Sequence, residues 1–111
     1  MDDIVAAFGA VEIRAGTIVE AAPLAGARKP AFRLKIDFGP PIGARISTAA
    51  LTERYAPETL VGKQVLAVVN LPVKRVAGVA SEVLTLGVAD ESGAVVLVAP
   101  EARVPDGARL Y

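Results

Sequence analysis

Phe32-Arg33-Leu34-Lys35-Ile36-Asp37-Phe38 is the stretch on which the fold turns. Phe32, Leu34, Ile36 and Phe38 occupy alternate positions and project to one face of an extended chain, while Arg33, Lys35 and Asp37 project to the other. That period of two predicts a half-buried strand. Gly39-Pro40-Pro41 ends it, because proline has no N–H to give a ladder, and Gly43 keeps the following turn tight. A further strand is expected over Ala44 to Ala49. Upstream, Val11-Glu12-Ile13-Arg14-Ala15 alternates in the same way. Gly16 is expected to interrupt that strand as a bulge or tight bend, with Thr17 to Ala22 continuing it until Pro23.

Downstream the pattern changes. Ala50 to Tyr55 reads as a helical interlude, followed by Pro57-Glu58-Thr59-Leu60 with proline in a first helical turn and Gly62 as the stop. Val65 to Val69 is an unbroken apolar run, expected to be a strand buried on both faces. A loop over Leu71 to Arg75 leads through Gly78 to a strand at Val83 to Val88. Asp90-Glu91-Ser92-Gly93 makes a hairpin turn before Val95 to Ala99. The tail turns again at Val104-Pro105-Asp106-Gly107, and Asp2 or Asp3 is placed to cap a short helix over Ile4 to Phe8. These elements predict an all-β chain and a single domain over residues 1–111. Five strands with a helical insert between the third and fourth fit an OB-fold, a five-stranded Greek-key barrel. An SH3-like barrel or a sandwich has the same periodicity.

Composition removes most catalytic chemistry. The 111 residues include no Cys and no His, so disulfides, thiolate catalysis, Cys-based zinc sites and imidazole general bases are excluded. Ser47, Ser81 and Ser92 have no Lys at a spacing that would activate them, and no glycine pattern matches a phosphate-binding loop. The sequence therefore predicts no enzyme, no catalytic residue, no metal and no cofactor. The longest uncharged run, Gln64 to Val73, has ten residues, about half of a membrane span. The acidic start at Asp2-Asp3 is unlike a secretory signal, and the cytoplasm is the expected location.

Net charge is zero, with 12 basic and 12 acidic residues, but it is unevenly spread. Residues 1–27 sum to −3, residues 28–54 to +4, residues 55–75 to +2, and residues 76–111 to −3. A small domain folded from such a chain has the material for one basic face.

Several segments carry a family resemblance. Val11-Glu12-Ile13-Arg14-Ala15-Gly16-Thr17-Ile18-Val19-Glu20 resembles the opening strand of the tRNA-binding OB domain, known from the C-terminal part of methionyl-tRNA synthetases and as a small free-standing dimer. Val61-Gly62-Lys63-Gln64-Val65, Val68-Val69-Asn70-Leu71-Pro72 and Lys74-Arg75-Val76-Ala77-Gly78-Val79-Ala80-Ser81-Glu82 match its later segments in order. Within that superfamily, Ile36-Asp37-Phe38-Gly39, Leu51-Thr52-Glu53-Arg54-Tyr55 and Ser81-Glu82-Val83-Leu84-Thr85-Leu86-Gly87 are most similar to the CsaA-type export chaperones. The resemblance implies a homodimeric OB-fold protein without catalytic activity that binds unfolded preproteins and the SecA motor, without inserting into a membrane. The alternative it implies is a structure-specific tRNA-binding protein.

The resemblance also proposes site residues. Lys29, Lys74 and Arg75 match the basic positions at which tRNA-binding relatives meet the phosphate backbone, with Arg28 and Arg33 extending the patch. Asn70 and Ser81 match polar positions on the same surface. Leu84 stands where those relatives usually have the second residue of a Gly-Met pair, a departure toward the chaperone branch. For a chaperone, exposed apolar surface is needed, with Ile46, Val76 and Leu84 as candidates, and Asp90, Glu91 and Glu101 to meet a basic leader. The segments outside the barrel in small relatives build the dimer, which assigns Ile4, Val5, Phe8, Val104 and Leu110 to the interface.

Overall fold

The computed structural model describes residues 3–111. A helix α1 (Ile4–Ala10) leads into strand β1 (Ile13–Pro23), then β2 (Phe32–Asp37), β3 (Ala44–Ala49), the four-residue helix α2 (Pro57–Leu60) and β4 (Gln64–Val68). Five short strands follow: β5 (Lys74–Val76), β6 (Val79–Ser81), β7 (Leu84–Thr85), β8 (Gly87–Ala89) and β9 (Val95–Leu97). One antiparallel sheet has the order β3-β2-β1-β4-β7, and β5–β6 and β8–β9 are separate ribbons. The five-stranded, nearly closed barrel with a helix between its third and fourth strands is the OB arrangement expected from the sequence. Asp3 caps α1, its Oδ1 accepting from Val5 and Ala6 N–H at 3.0 and 3.2 Å; Asp2 lies outside the described residues.

The barrel depends on a long, curved first strand. Ile13–Thr17 of β1 pair with β4, and Thr17–Pro23 pair with β2. Gly16 does not interrupt the strand. The register slips instead between Ile18 and Glu20, and Gly16 stays in the ladder because the core passes directly over it. A Cβ at position 16 would lie 2.7 Å from both Ile36 Cγ2 and Phe38 Cδ1. The alternating residues of β2 do what their periodicity predicts: Leu34, Ile36 and Phe38 are fully buried beside Ile18, Leu51, Leu60 and Val65.

The sheet closes on itself at β3. The outer edge of β3 meets the chain at Ser81-Glu82, largely through side chains. Thr48 N–H donates to Ser81 Oγ at 3.0 Å and Ile46 N–H to Glu82 Oε1 at 2.9 Å, while Glu82 N–H donates to Ile46 C=O at 2.7 Å. Inside this seam the hydroxyls of buried Ser47 and of Thr85 lie 2.7 Å apart. The C-terminal tail adds a clasp along β1, with Gly107 N–H on Ala15 C=O, Ala15 N–H on Ala108 C=O and Leu110 N–H on Ile13 C=O.

Three further expectations are corrected. Ala50 to Tyr55 is a turn, not a helix: the buried Leu51 side chain anchors it, and Pro57 holds Ala56 extended at φ −119°, ψ 153°. Lys74 and Arg75 do not lie in a loop but on β5, one arm of a hairpin whose two turn residues, Ala77 and Gly78, both have positive φ (50° and 81°). That is the pattern of the turn that matches strand twist. The strand expected over Val83 to Val88 is split into β7, which joins the barrel, and β8, which pairs with β9.

Gly16→Ala places a methyl group against two buried side chains with no room to yield. It is expected to destabilise the protein by about 1–3 kcal/mol, read as a lowered midpoint in urea unfolding. An unchanged midpoint would mean that β1 does not lie against Ile36 and Phe38.

Candidate functional site

OB barrels bind ligands with strands 2 and 3 and with the loops that follow the first and fourth strands. Here both loops converge on the free end of β3. The β1–β2 loop contributes Gly26 to Ala31, the end of β3 and the residue after it contribute Thr48 to Ala50, and the β5–β6 hairpin contributes Val76 and Ala77. Together they enclose a groove of about 530 Å³. Arg28 and Lys29 stand on its loop side; the remaining lining is Gly, Ala, Pro, Val and Thr.

A smaller recess of about 130 Å³ continues beyond it, lined by Leu71, Pro72, Lys74, Ser81, Glu82, Val83 and Leu84. The two are joined at one bond, since Thr48 belongs to the groove, Ser81 to the recess, and Thr48 N–H donates to Ser81 Oγ. Lys74 lies opposite Ser81 across the hairpin, so their side chains share a face, which Val76 also shares two residues on. A single strip therefore runs from Lys29 past Val76 and Ser81 to Lys74 and Leu84.

The structure thus brings together Lys29, Lys74, Ser81 and Leu84 and leaves two other predicted residues apart. Arg75 sits on the opposite face of the hairpin, where its Nη1 donates to Gly78 C=O at 3.1 Å. Asn70 works on the backbone. Its Nδ2 donates to Ala10 C=O at 2.7 Å and its Oδ1 accepts from Glu12 N–H at 2.9 Å, tying the exit of α1 to the end of β4. Thr48, Ala49 and Ala50 also line the groove, and alanines at a strand end carry no chemical signal in a sequence.

Charge reinforces the geometry. Among the described residues, ion pairs join Arg14 to Glu12, Lys35 to Glu20 and Arg54 to Asp90. Arg28, Lys29 and Lys74 take part in none of them, so their charge is directed to solvent. Asp90 is differently placed: the Arg54 guanidinium at 2.6 Å, helped by Ser92, lowers its carboxyl to about 2. Of the three acids expected to meet a basic leader, Asp90 already has a cation, while Glu91 and Glu101 are exposed. Beside Lys74, Leu71, Val73 and Leu84 are 44%, 60% and 49% exposed.

A second surface is apolar. Val5, Phe8, Gly9, Val11, Arg109, Leu110 and Tyr111 border a cleft between α1 and the tail, and Val104 and Leu110 border a neighbouring one with Ala15, Leu66 and Pro100. Ile4 and Val5 are 76% and 80% exposed. Arg109 fixes this corner by donating from Nη2 to Gly9 C=O at 2.7 Å. Among the described residues no helix is long and apolar enough to cross a membrane.

Comparison with known proteins agrees with this architecture. The crystal structure of the chaperone CsaA from Bacillus anthracis str. Ames superposes with a TM-score of 0.91 at 46% identity, covering 100% of this chain and 99% of the other. The CsaA chaperone protein from Picrophilus torridus gives 0.91 at 39% identity, with both chains fully covered. Among curated proteins, the methionine–tRNA ligase of Porphyromonas gingivalis is 36% identical over 103 residues, and that of Methanothrix thermoacetophila 39% identical over 100. Those matches cover 93% and 90% of this chain but only 15% and 14% of the ligases, so the chain spans a small part of their length. The model of the family described as "Putative tRNA binding domain" matches residues 13–109, and the chain belongs to that family of tRNA-binding OB domains.

Proposed function

We propose that this protein is a non-catalytic binding protein that holds tRNA along the strip from Lys29 to Lys74. The observation that carries the reading is the placement of Arg28, Lys29 and Lys74 on one continuous surface, none of them joined to a carboxylate among the described residues. Lysine and arginine so placed meet phosphate oxygens with charge and with directed N–H donors. Binding on one face also explains how a chain of zero net charge serves an anionic partner, because the local field rather than the sum acts at contact range.

A second reading is favoured by a separate observation. Leu71, Val73 and Leu84 form an exposed apolar margin next to Lys74, and an unfolded chain is captured by apolar surface that a charged rim keeps soluble. With the full-length similarity to CsaA chaperones, this supports an export-related chaperone of the cytoplasm that binds unfolded preproteins, with SecA as a further partner. The two readings share one strip, so the partners exclude one another there.

The apolar corner made by α1 and the tail supports a homodimer. Ile4, Val5 and Phe8 are too exposed for a short helix to retain without a partner, and Val104 and Leu110 edge the clefts beside it. Light scattering at micromolar concentration is expected to give about twice the chain mass of 11.4 kDa, and Val5→Asp with Phe8→Asp to return it to that mass. A wild-type monomer would overturn the dimer.

Fluorescence anisotropy of labelled tRNA over a salt series tests the main reading. The affinity is expected to fall steeply with salt, and Lys29→Ala and Lys74→Ala each to reduce the slope by about one unit. An unfolded preprotein segment is expected to displace the tRNA, and the uncharged change Leu84→Ser to weaken that segment while leaving the salt slope unchanged. Salt-independent binding, or a slope unaltered by both lysine changes, would remove tRNA from this strip. Retention of both ligands together would separate the chaperone surface from it.

A further inference from the structure

The groove at the end of β3 has a feature that phosphate contacts do not use. In the β2–β3 ladder Phe38 N–H donates to Gly43 C=O, so residues 43, 45, 47 and 49 turn their main-chain groups toward β2, and the residues between them turn theirs outward. Ser81 and Glu82 cover that outer edge at Ile46 N–H, Ile46 C=O and Thr48 N–H. There the cover stops. Among the described residues, Thr48 C=O and Ala50 N–H have no hydrogen-bond partner, and both residues line the groove.

We propose that the groove takes a single nucleotide, its base edge read by Thr48 C=O and Ala50 N–H and its phosphate held by Arg28 and Lys29. An acceptor and a donor two residues apart on one strand edge match the adjacent donor and acceptor that a nucleobase presents on its pairing edge. Small side chains, Ala27, Ala31, Val76 and Ala77, with Pro30, make the apolar walls that a flat ring requires, and about 530 Å³ suits a ligand of nucleotide size. No aromatic ring lines the groove, so it holds one base by its edge rather than a stacked run. An added peptide strand fits less well. It needs a continuous row of open edge groups, and the chain at Ser81 to Val83 occupies the middle of this one, at Ile46 and Thr48 N–H.

The inference deepens the nucleic-acid reading, but its chemistry is common to a free nucleotide and to an unpaired residue of RNA. Calorimetric titration with AMP, ribose 5-phosphate and N6,N6-dimethyl-AMP tests it. AMP is expected to bind about tenfold more tightly than either analogue, since one lacks the base and the other its N–H donor. Ala50→Pro removes the donor without touching the β2–β3 ladder and is expected to abolish that preference while leaving ribose 5-phosphate binding unchanged. Its unfolding midpoint reports whether the fold survives. Ala27→Leu, which fills the groove from a loop, is expected to exclude AMP independently. Arg28→Ala or Lys29→Ala is expected to weaken AMP and ribose 5-phosphate alike.

A duplex RNA with an unpaired adenosine extension distinguishes the sources. Displacement of AMP by it, but not by the blunt duplex, assigns the site to RNA; AMP retained against both assigns it to a free nucleotide, and either outcome supports the inference. Equal affinity for AMP and ribose 5-phosphate overturns it, as does a folded Ala50→Pro variant that keeps the preference. Tight tRNA binding with no AMP preference would overturn this inference alone; AMP preference without tRNA binding would overturn only the tRNA reading.

Discussion

Closure of the barrel at β3 is the constraint from which the binding surface follows. A strand at the edge of a sheet leaves a row of main-chain donors and acceptors without partners, and each one shut away from water costs on the order of 1–3 kcal/mol. Here the edge is covered by the side chains of Ser81 and Glu82 together with main-chain bonds from Glu82 and Val83 N–H to Ile46 C=O. Side chains reach farther than a backbone, so β6 stands off from β3 instead of forming a regular ladder with it. The space so created widens past Thr48 into the groove. Closure and the proposed binding site are the same piece of geometry: one end of the seam is sealed and the other is left open.

The electrostatics follow from that placement. Basic residues from two distant parts of the chain, Arg28 and Lys29 in the loop before β2 and Lys74 on β5, come to opposite sides of the seam because that loop and the β5–β6 hairpin converge there. Glu20 pairs with Lys35 and Asp90 with Arg54, each away from the seam, while Glu82, which lines the recess, accepts from Ile46 N–H. Exposed ion pairs of this kind add little stability. Their effect is on the pattern of the field, since none of them draws on Arg28, Lys29 or Lys74.

Much of the barrel was legible in the chain because it is written in periodicity. The alternation of Phe32 to Phe38 marks β2, the short run Ala44 to Ala49 matches β3, and Pro57 marks the start of the inserted helix. The β5–β6 hairpin was not legible. Its turn uses Ala77 in a left-handed conformation that a residue with a Cβ adopts at a cost, so the sequence lacks the Asn-Gly or Gly-Gly signal that announces such turns. The same limit applies to the site. Residue type and family resemblance point to Lys29, Lys74, Ser81 and Leu84, and the fold places them along one strip. Asn70, chosen on the same grounds, has both ends of its carboxamide on the backbone around β1. Thr48 to Ala50 act through main-chain groups, which every residue possesses and no sequence distinguishes.

Amide chemical-shift mapping of the protein on addition of tRNA tests most directly whether the seam and its open end form the binding surface. The account predicts the largest changes at Gly26 to Ala31, Thr48 to Ala50 and Lys74 to Ser81, with the outward residues of β2 and the α1–tail corner little affected. Changes centred on Arg33 and Lys35, or on α1 and residues 104–111, would contradict it, because the ligand would then lie on a surface that closure at β3 does not create.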